Sequence, residues 1–276
     1  RMRETLMNEA MNDLHRALAQ ANTVLLTGPM DPDGDSIGAC LALARAAETF
    51  SSATVHVAGE LNYRYAWIPD AERVMTEDAL ADAFDLVVVM DGDRGRLTPR
   101  VTALFQSAES TALVDHHQSS SADGYDVVLL DPTSPSTCEM VYRILSAWGV
   151  ALNSAIATHL YTGVIFDTGG FKHENTRAET HRLAAELLEH GVQPAPVHAK
   201  VLHERTTAGL RMLGEVLGSA VFYGDGAVVM GIMTREAMQR LGIQSGDAEG
   251  IVDALLNTAG VEVAVLAKEA GDAVKP

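Results

Sequence analysis

Strand and helix signals alternate through the first half of the chain, and three of the strands run straight into acid-rich loops. The runs are "TVLLTG" (23–28), "DLVVVMDG" (85–92) and "TALVDHH" (111–117), and the loops that close them are "TGPMDPDGDSIGA", "MDGDRGRL" and "DHHQSS". With helical patterns near 4–20 and 36–50 and further strand signals in "TVHVAG" (54–59) and "DVVLLD" (126–131), this order predicts a parallel sheet covered by helices. Ser136 or Thr137 can cap a helix reaching about Trp148.

From about 152 to 190 the helical period dominates, until Gly191, Pro194 and Pro196 mark a stop. A connecting helix over 193–217 should lead to two β-rich runs around Gly224-Asp225-Gly226, read as a hairpin. A helical stretch and the strand-like "VEVAVLAKEA" (261–270) complete a second part with few elements. The fold class expected is therefore α/β, with a large domain over 1–192 and a smaller α/β domain over 218–276.

Twenty basic against 37 acidic residues give a net charge of −17, which repels a polyanion over most of the surface. Long duplex DNA is an unfavourable partner for such a chain, whereas a small phosphorylated ligand needs only a few local cations. No run approaches the length of a membrane span, and the first 20 residues lack a signal-peptide core. A cytoplasmic protein with no membrane partner is the expectation, and a homodimer is left open. Cys40 and Cys138 lie in apolar helical patterns without metal-binding spacing and are expected as reduced core residues.

In an open parallel sheet, ligands sit beyond the carboxyl ends of the strands, so the three acidic loops can meet in one crevice. Asp31, Asp33 and Asp35 alternate in the first loop, Asp91 closes one strand, and Asp115, His116 and His117 close another. A fourth acid, Asp167, stands in "TGVIFDTGGF" before two glycines. So many carboxylates in one place would repel each other and resist ionisation unless a divalent cation lay among them. Carboxylates with an imidazole favour Mn²⁺, with Mg²⁺ the alternative, and a pair of ions suits phosphoryl chemistry.

These stretches, together with "SPSTCEMVYRIL" and "TGVIFDTGGFKHENT", resemble the DHH phosphoesterase superfamily in order and spacing over nearly the whole chain. The resemblance is closest to the nano-RNase and phosphoadenosine-phosphate phosphatase type, whose second domain is of the DHHA1 kind. It implies a DHH domain holding two ions, often Mn²⁺, with Asp33 on one, Asp35 on the other, Asp91 bridging, and His116 and Asp167 completing the second site. It further implies that His117 faces the substrate phosphate and that Asp115 orients the loop or a neighbouring imidazole. Asp91 and His117 are thus the expected catalytic pair, with His173 and Arg94 as candidate substrate contacts.

Two departures accompany the resemblance. The phosphatase-like branch opens its first motif with His where this chain has Pro29, and the exonuclease branch opens with alternating Asp, which Asp31 fits; Asp31 is therefore expected to replace or weaken a ligand. The family also continues into an arginine-bearing strand and a Gly-Gly-Gly-His segment that these 276 residues lack, so the second domain reads as truncated at its C-terminus. The implied activity is metal-dependent hydrolysis of short oligoribonucleotides or linear dinucleotides, with 3′-phosphoadenosine 5′-phosphate (pAp) as a further substrate. A manganese-dependent pyrophosphatase and a catalytically impaired nucleotide-binding regulator are the competing readings.

Overall fold

The computed structural model describes residues 2–244, 246–270 and 273–275. It begins with α1 (Met2–Gln20), β1 (Thr23–Thr27), α2 (Gly34–Ala47), β2 (Thr54–Ala58), β3 (Val74–Met75), β4 (Leu86–Met90) and α3 (Pro99–Ser107). There follow β5 (Ser110–Asp115), β6 (Val127–Leu130), α4 (Thr137–Ala147), α5 (Ser154–Asp167), α6 (Ala178–Glu189) and α7 (Pro194–His198). The six strands form one parallel sheet in the order β3-β2-β1-β4-β5-β6. The order turns back between β1 and β4, which places the crevice outside their carboxyl ends, where Asp33, Asp35 and Asp91 emerge.

The apolar runs are continuous because both sheet faces are covered. Val24 and Leu26 of β1, Val88 and Met90 of β4, and Val114 of β5 join a core with α1, α2, α4, α5 and α6. Leu25, Val87, Val89 and Leu113 face the other way, onto Val101, Leu104 and Phe105 of α3. Neither α3 nor β3 was legible in the sequence: α3 is nine residues long and β3 two, too short for a period to stand out.

The chain divides into two compact units, Arg1–Leu202 and His203–Pro276. The single connecting helix expected over 193–217 is instead broken. After α7 comes a π turn over Ala199–His203, and α8 (Thr207–Gly218) then starts afresh. Thr206 causes the restart, since its side chain accepts from the Gly209 amide as an N-cap while its hydroxyl donates to Asp247.

The second unit continues through β7 (Val221–Tyr223), β8 (Val228–Met233), α9 (Arg235–Leu241), α10 (Ile251–Leu256), β9 (Val263–Ala270) and β10 (Ala273–Lys275). Its strands pair in the order β10-β9-β8-β7, with β7 and β8 forming the antiparallel hairpin read around Gly224-Asp225-Gly226. Few as its elements are, the unit has an apolar core of its own, built on Met212, Val216, Val229, Met233, Ile251 and Leu255.

Candidate metal centre

The site begins with two helix starts. Asp33 caps α2, its Oδ1 accepting from the amides of Asp35 (2.9 Å) and Ser36 (3.1 Å). Asp35, in the first turn of α2, reaches the start of α4: Oδ2 accepts from the Thr137 amide (2.6 Å) and Oδ1 from the Cys138 amide (2.8 Å). Its carboxylate is therefore fixed by backbone donors at a helix N-terminus, where negative charge is favoured.

Asp91 leaves β4 in the left-handed region, with φ +61°, and Gly92 follows at φ +141°. A non-glycine residue in that region is uncommon, although Asp tolerates it better than most. The turn directs Asp91 into the crevice, where its Oδ1 accepts from the Thr137 hydroxyl (3.0 Å). Asp33 and Asp91 also lie within hydrogen-bonding reach of each other.

His116 follows β5 and carries the observation that decides what the cluster can hold. Its Nδ1 lies 3.2 Å from the Ser134 carbonyl oxygen, which can only accept, so Nδ1 bears a hydrogen. The other ring nitrogen, Nε2, faces Asp167 Oδ2 (3.0 Å), Asp91 Oδ1 (3.5 Å) and Asp35 Oδ2 (3.9 Å). Among three carboxylates that nitrogen holds a cation, a proton in the metal-free chain or a metal ion in its place. The His116 side chain is 14% exposed and that of Asp167 is 16% exposed, so the cluster is reachable from solvent at one side.

The electrostatics agree. Burial, reinforced by neighbouring carboxylates, pushes Asp33 and Asp35 up to about 7 and Asp167 up to about 6. Asp91 rises for the same reasons, burial first and the charge of Asp35 next. Burial alone would lower His116, but its hydrogen bonds to Asp167 and Asp91 and the charges of Asp35 and Asp167 lift it to about 12. The acids rise first through burial and then through one another's charge, and a divalent ion among them would offset both. The donor set of carboxylate oxygens with one imidazole fits Mn²⁺ or Mg²⁺ in kind.

The other sequence candidates divide. Asp115 Oδ1 accepts from the amides of His116 (2.8 Å) and His117 (3.2 Å) and from His117 Nδ1 (2.7 Å), so one buried oxygen holds the backbone of both histidines and the ring of His117. The His117 side chain is 30% exposed, and its pKa is raised, chiefly by the bond to Asp115. His173 donates from Nδ1 to the Asp167 carbonyl (3.1 Å), and its ring lies over Gly169, beside the cluster but exposed. Arg94 is exposed and extends along Gly124, while its amide donates to the Tyr125 hydroxyl. Two described groups of side chains could share an ion, Asp35, Asp91, His116 and Asp167, and Asp91, His116 and His117; exposed Asp31 lies outside both, and so does Asp33, whose Oδ1 caps α2.

Residues 23–164 match the model of the DHH family, N-terminal domain. The chain belongs to the DHH family. This DHH chain is 29% identical over 208 residues to the bifunctional oligoribonuclease and PAP phosphatase NrnA of Thermus thermophilus, a match covering 75% of the chain and 62% of the relative. The protein of the same name from Bacillus subtilis is 23% identical over 272 residues, covering 95% and 83%. Thus the DHH chain spans less than two thirds of the Thermus relative's length. Among solved structures, an exopolyphosphatase-related protein from Bacteroides fragilis has the same fold, with TM-score 0.85 at 22% identity over 96% of this chain and 81% of that one.

Sequence reading left out several groups that build the DHH site. The Thr137 hydroxyl, the Ser134 carbonyl and the Asn175 amide, which donates to the carbonyls of Pro135 and Asp167 (both 3.1 Å), all support acids or histidine of the cluster. Glu139 braces the start of α4 from within, accepting from Arg177 Nη2 (2.6 Å) and the Thr180 hydroxyl (2.8 Å). The run "SPSTCEM" contained the signal, with hydroxyls and an acid crowded at a helix start. Gly163 completes the set: a Cβ there would collide with Asp35 Oδ1 and Cys138 Sγ and lie 2.9 Å from Asp35 Cα.

Proposed function

We propose that the chain is a metal-dependent hydrolase of phosphate esters, in which Asp33, Asp35, Asp91, His116 and Asp167 hold a pair of divalent ions. Mn²⁺ is our first choice and Mg²⁺ the second. The observation that carries this reading is His116 Nε2 placed among the carboxylates of Asp35, Asp91 and Asp167, at the crevice between β1 and β4. When bound, such a pair supplies the positive charge and the acidified water that phosphoester hydrolysis requires.

The remaining chemistry belongs to the chain. Asp115 holds His117 by Nδ1 and favours its protonated form, so that Nε2 can donate to a phosphate oxygen as charge develops there. Arg94 and His173 are the proposed substrate contacts, and Asp31 is at most a peripheral ligand. The substrate we infer is a short oligoribonucleotide or linear dinucleotide, cut to mononucleotides, with pAp dephosphorylated at the same site. The names of the Thermus and Bacillus relatives support this class. The −17 charge agrees with a ligand of few phosphates. We infer that the smaller unit is a DHHA1-type substrate-binding domain. Among the described residues no helix is long and apolar enough to cross a membrane. A cytoplasmic setting, where Cys40 and Cys138 would stay reduced, belongs to the same proposal.

The test is turnover of di- to pentanucleotides, pAp and pyrophosphate by the purified chain, with Mn²⁺, with Mg²⁺ and with chelator. Release of mononucleotides that requires the metal is expected. Preferential cleavage of pyrophosphate would replace the proposed substrate class, and tight nucleotide binding without turnover would make the chain a binder.

A further inference from the structure

The segment from Ser134 to Cys138 reaches the cluster at several points. Besides the Ser134 carbonyl on His116 and the two amides and the Cys138 thiol on Asp35, it places the hydroxyl of Thr137 on Asp91. We propose that Thr137 is a positioning residue that sets the rotation of the Asp91 carboxylate and thereby the direction from which its oxygens meet the ions. The inference rests on the metal-centre reading above.

The division of labour between neighbouring hydroxyls supports it. Ser136 caps α4, accepting from the Glu139 amide (3.0 Å), which leaves the Thr137 hydroxyl free to donate to Asp91. Asp91 needs such a donor. It stands on a left-handed backbone, is buried, and faces Asp33 as well as His116. His116 Nε2 approaches the same oxygen at 3.5 Å; without the closer Thr137 hydrogen the plane of the carboxylate could swing about its last torsion, which is broad.

A neutral hydroxyl orients the acid while leaving its charge available to a cation, which a lysine or arginine at the same place would neutralise. Thr137 is well suited to hold that direction. It is buried, β-branched and rooted in the first turn of a helix that Glu139 ties to Arg177 and Thr180.

The experiment is a Mn²⁺ titration of the purified chain, with free ion read by electron paramagnetic resonance and thermal stability measured separately in chelator. Thr137→Val keeps the shape and the amide bonded to Asp35 but removes the donor; the expected result is ~10-fold weaker Mn²⁺ binding at unchanged chelator stability, with Thr137→Ser restoring affinity to within about threefold. Should Thr137→Val fail to fold, Thr137→Ser against Thr137→Ala isolates the same hydroxyl. Parent-like affinity in the variants lacking the hydroxyl, or no rescue by serine, would overturn the inference. A parent chain that binds no Mn²⁺ would instead overturn the metal-centre reading and this inference with it.

Discussion

His116 Nε2 lies 3.0 Å from Asp167 Oδ2 while its other ring nitrogen is held by the Ser134 carbonyl. The ring orientation is therefore fixed before any ion arrives: Nε2 faces the acids and carries a proton that a metal ion would have to displace. The first consequence concerns what those acids do to stability.

Asp91→Asn should have opposite effects with and without metal. Asn tolerates the left-handed backbone and removes one of the crowded charges, so in chelator the variant should be more stable by ~1 kcal/mol, the scale of one interacting charge pair. With Mn²⁺ present, the stabilisation seen in the parent should shrink, and hydrolysis of a dinucleotide should fall roughly a thousandfold, about 4 kcal/mol of lost charge stabilisation. Melting curves in both conditions and a single-substrate assay check this. Full activity would remove Asp91 from the ligand set.

The pH dependence of the metal-free chain follows from the raised carboxyls. Asp33 and Asp35 at about 7 and Asp167 at about 6 are protonated in the folded chain where the unfolded chain, near 3.8, has already ionised. The folded state then binds more protons, so this contribution to stability is complete below about 4 and is lost as pH rises toward 7. Urea midpoints in chelator should therefore decline across that window through these groups. Mn²⁺ must displace the same protons, and its affinity should increase with pH over the same range.

Gly163→Ala tests the crossing of two helices. Alanine is the better helix former by ~1 kcal/mol, which alone would stabilise α5. Here the added methyl meets the carboxylate of Asp35 and the sulfur of Cys138, so overpacking should win and cost ~1–3 kcal/mol. Displacing Asp35 should also weaken Mn²⁺ binding. Calorimetry of both quantities would decide, and a stabilised variant with parent-like metal affinity would contradict the packing.

Asp115→Asn should separate phosphate handling from metal binding. The Asn oxygen can still accept from the His117 ring, but the charge that raises the His117 pKa is gone. The alkaline limb of kcat should move to lower pH, and kcat should fall ~10-fold or more while Mn²⁺ affinity changes little. An unmoved pH profile would mean that His117 acts without Asp115.

Much of this was written in the sequence, for identifiable reasons. The buried strands show as apolar runs, and Asp33, Asp35, Asp91 and His116 stand at or just beyond the ends of those runs, which made them candidates before their contacts were known. The sheet order that joins their loops needs only the rule for parallel strands. What stayed hidden depends on contacts across long separations. The Ser134 carbonyl and the amides of Thr137 and Cys138 belong to the backbone, which any residue supplies, and Gly163 matters for a carboxylate 128 positions earlier, which no local period encodes. The break before α8 was missed because the capping role of Thr206 does not interrupt the apolar pattern around it.

The close crossing of α2 and α5 has a mechanical consequence. Gly34 lies against Phe166, Asp35 against Gly163 and Gly38 against His159, so the helices run in opposite directions with backbones nearly touching. Asp35 and Asp167 therefore sit at the same end of one stiff splint. Helices joined this closely would tilt as a unit, carrying both carboxylates together and keeping the gap that the proposed ions would occupy.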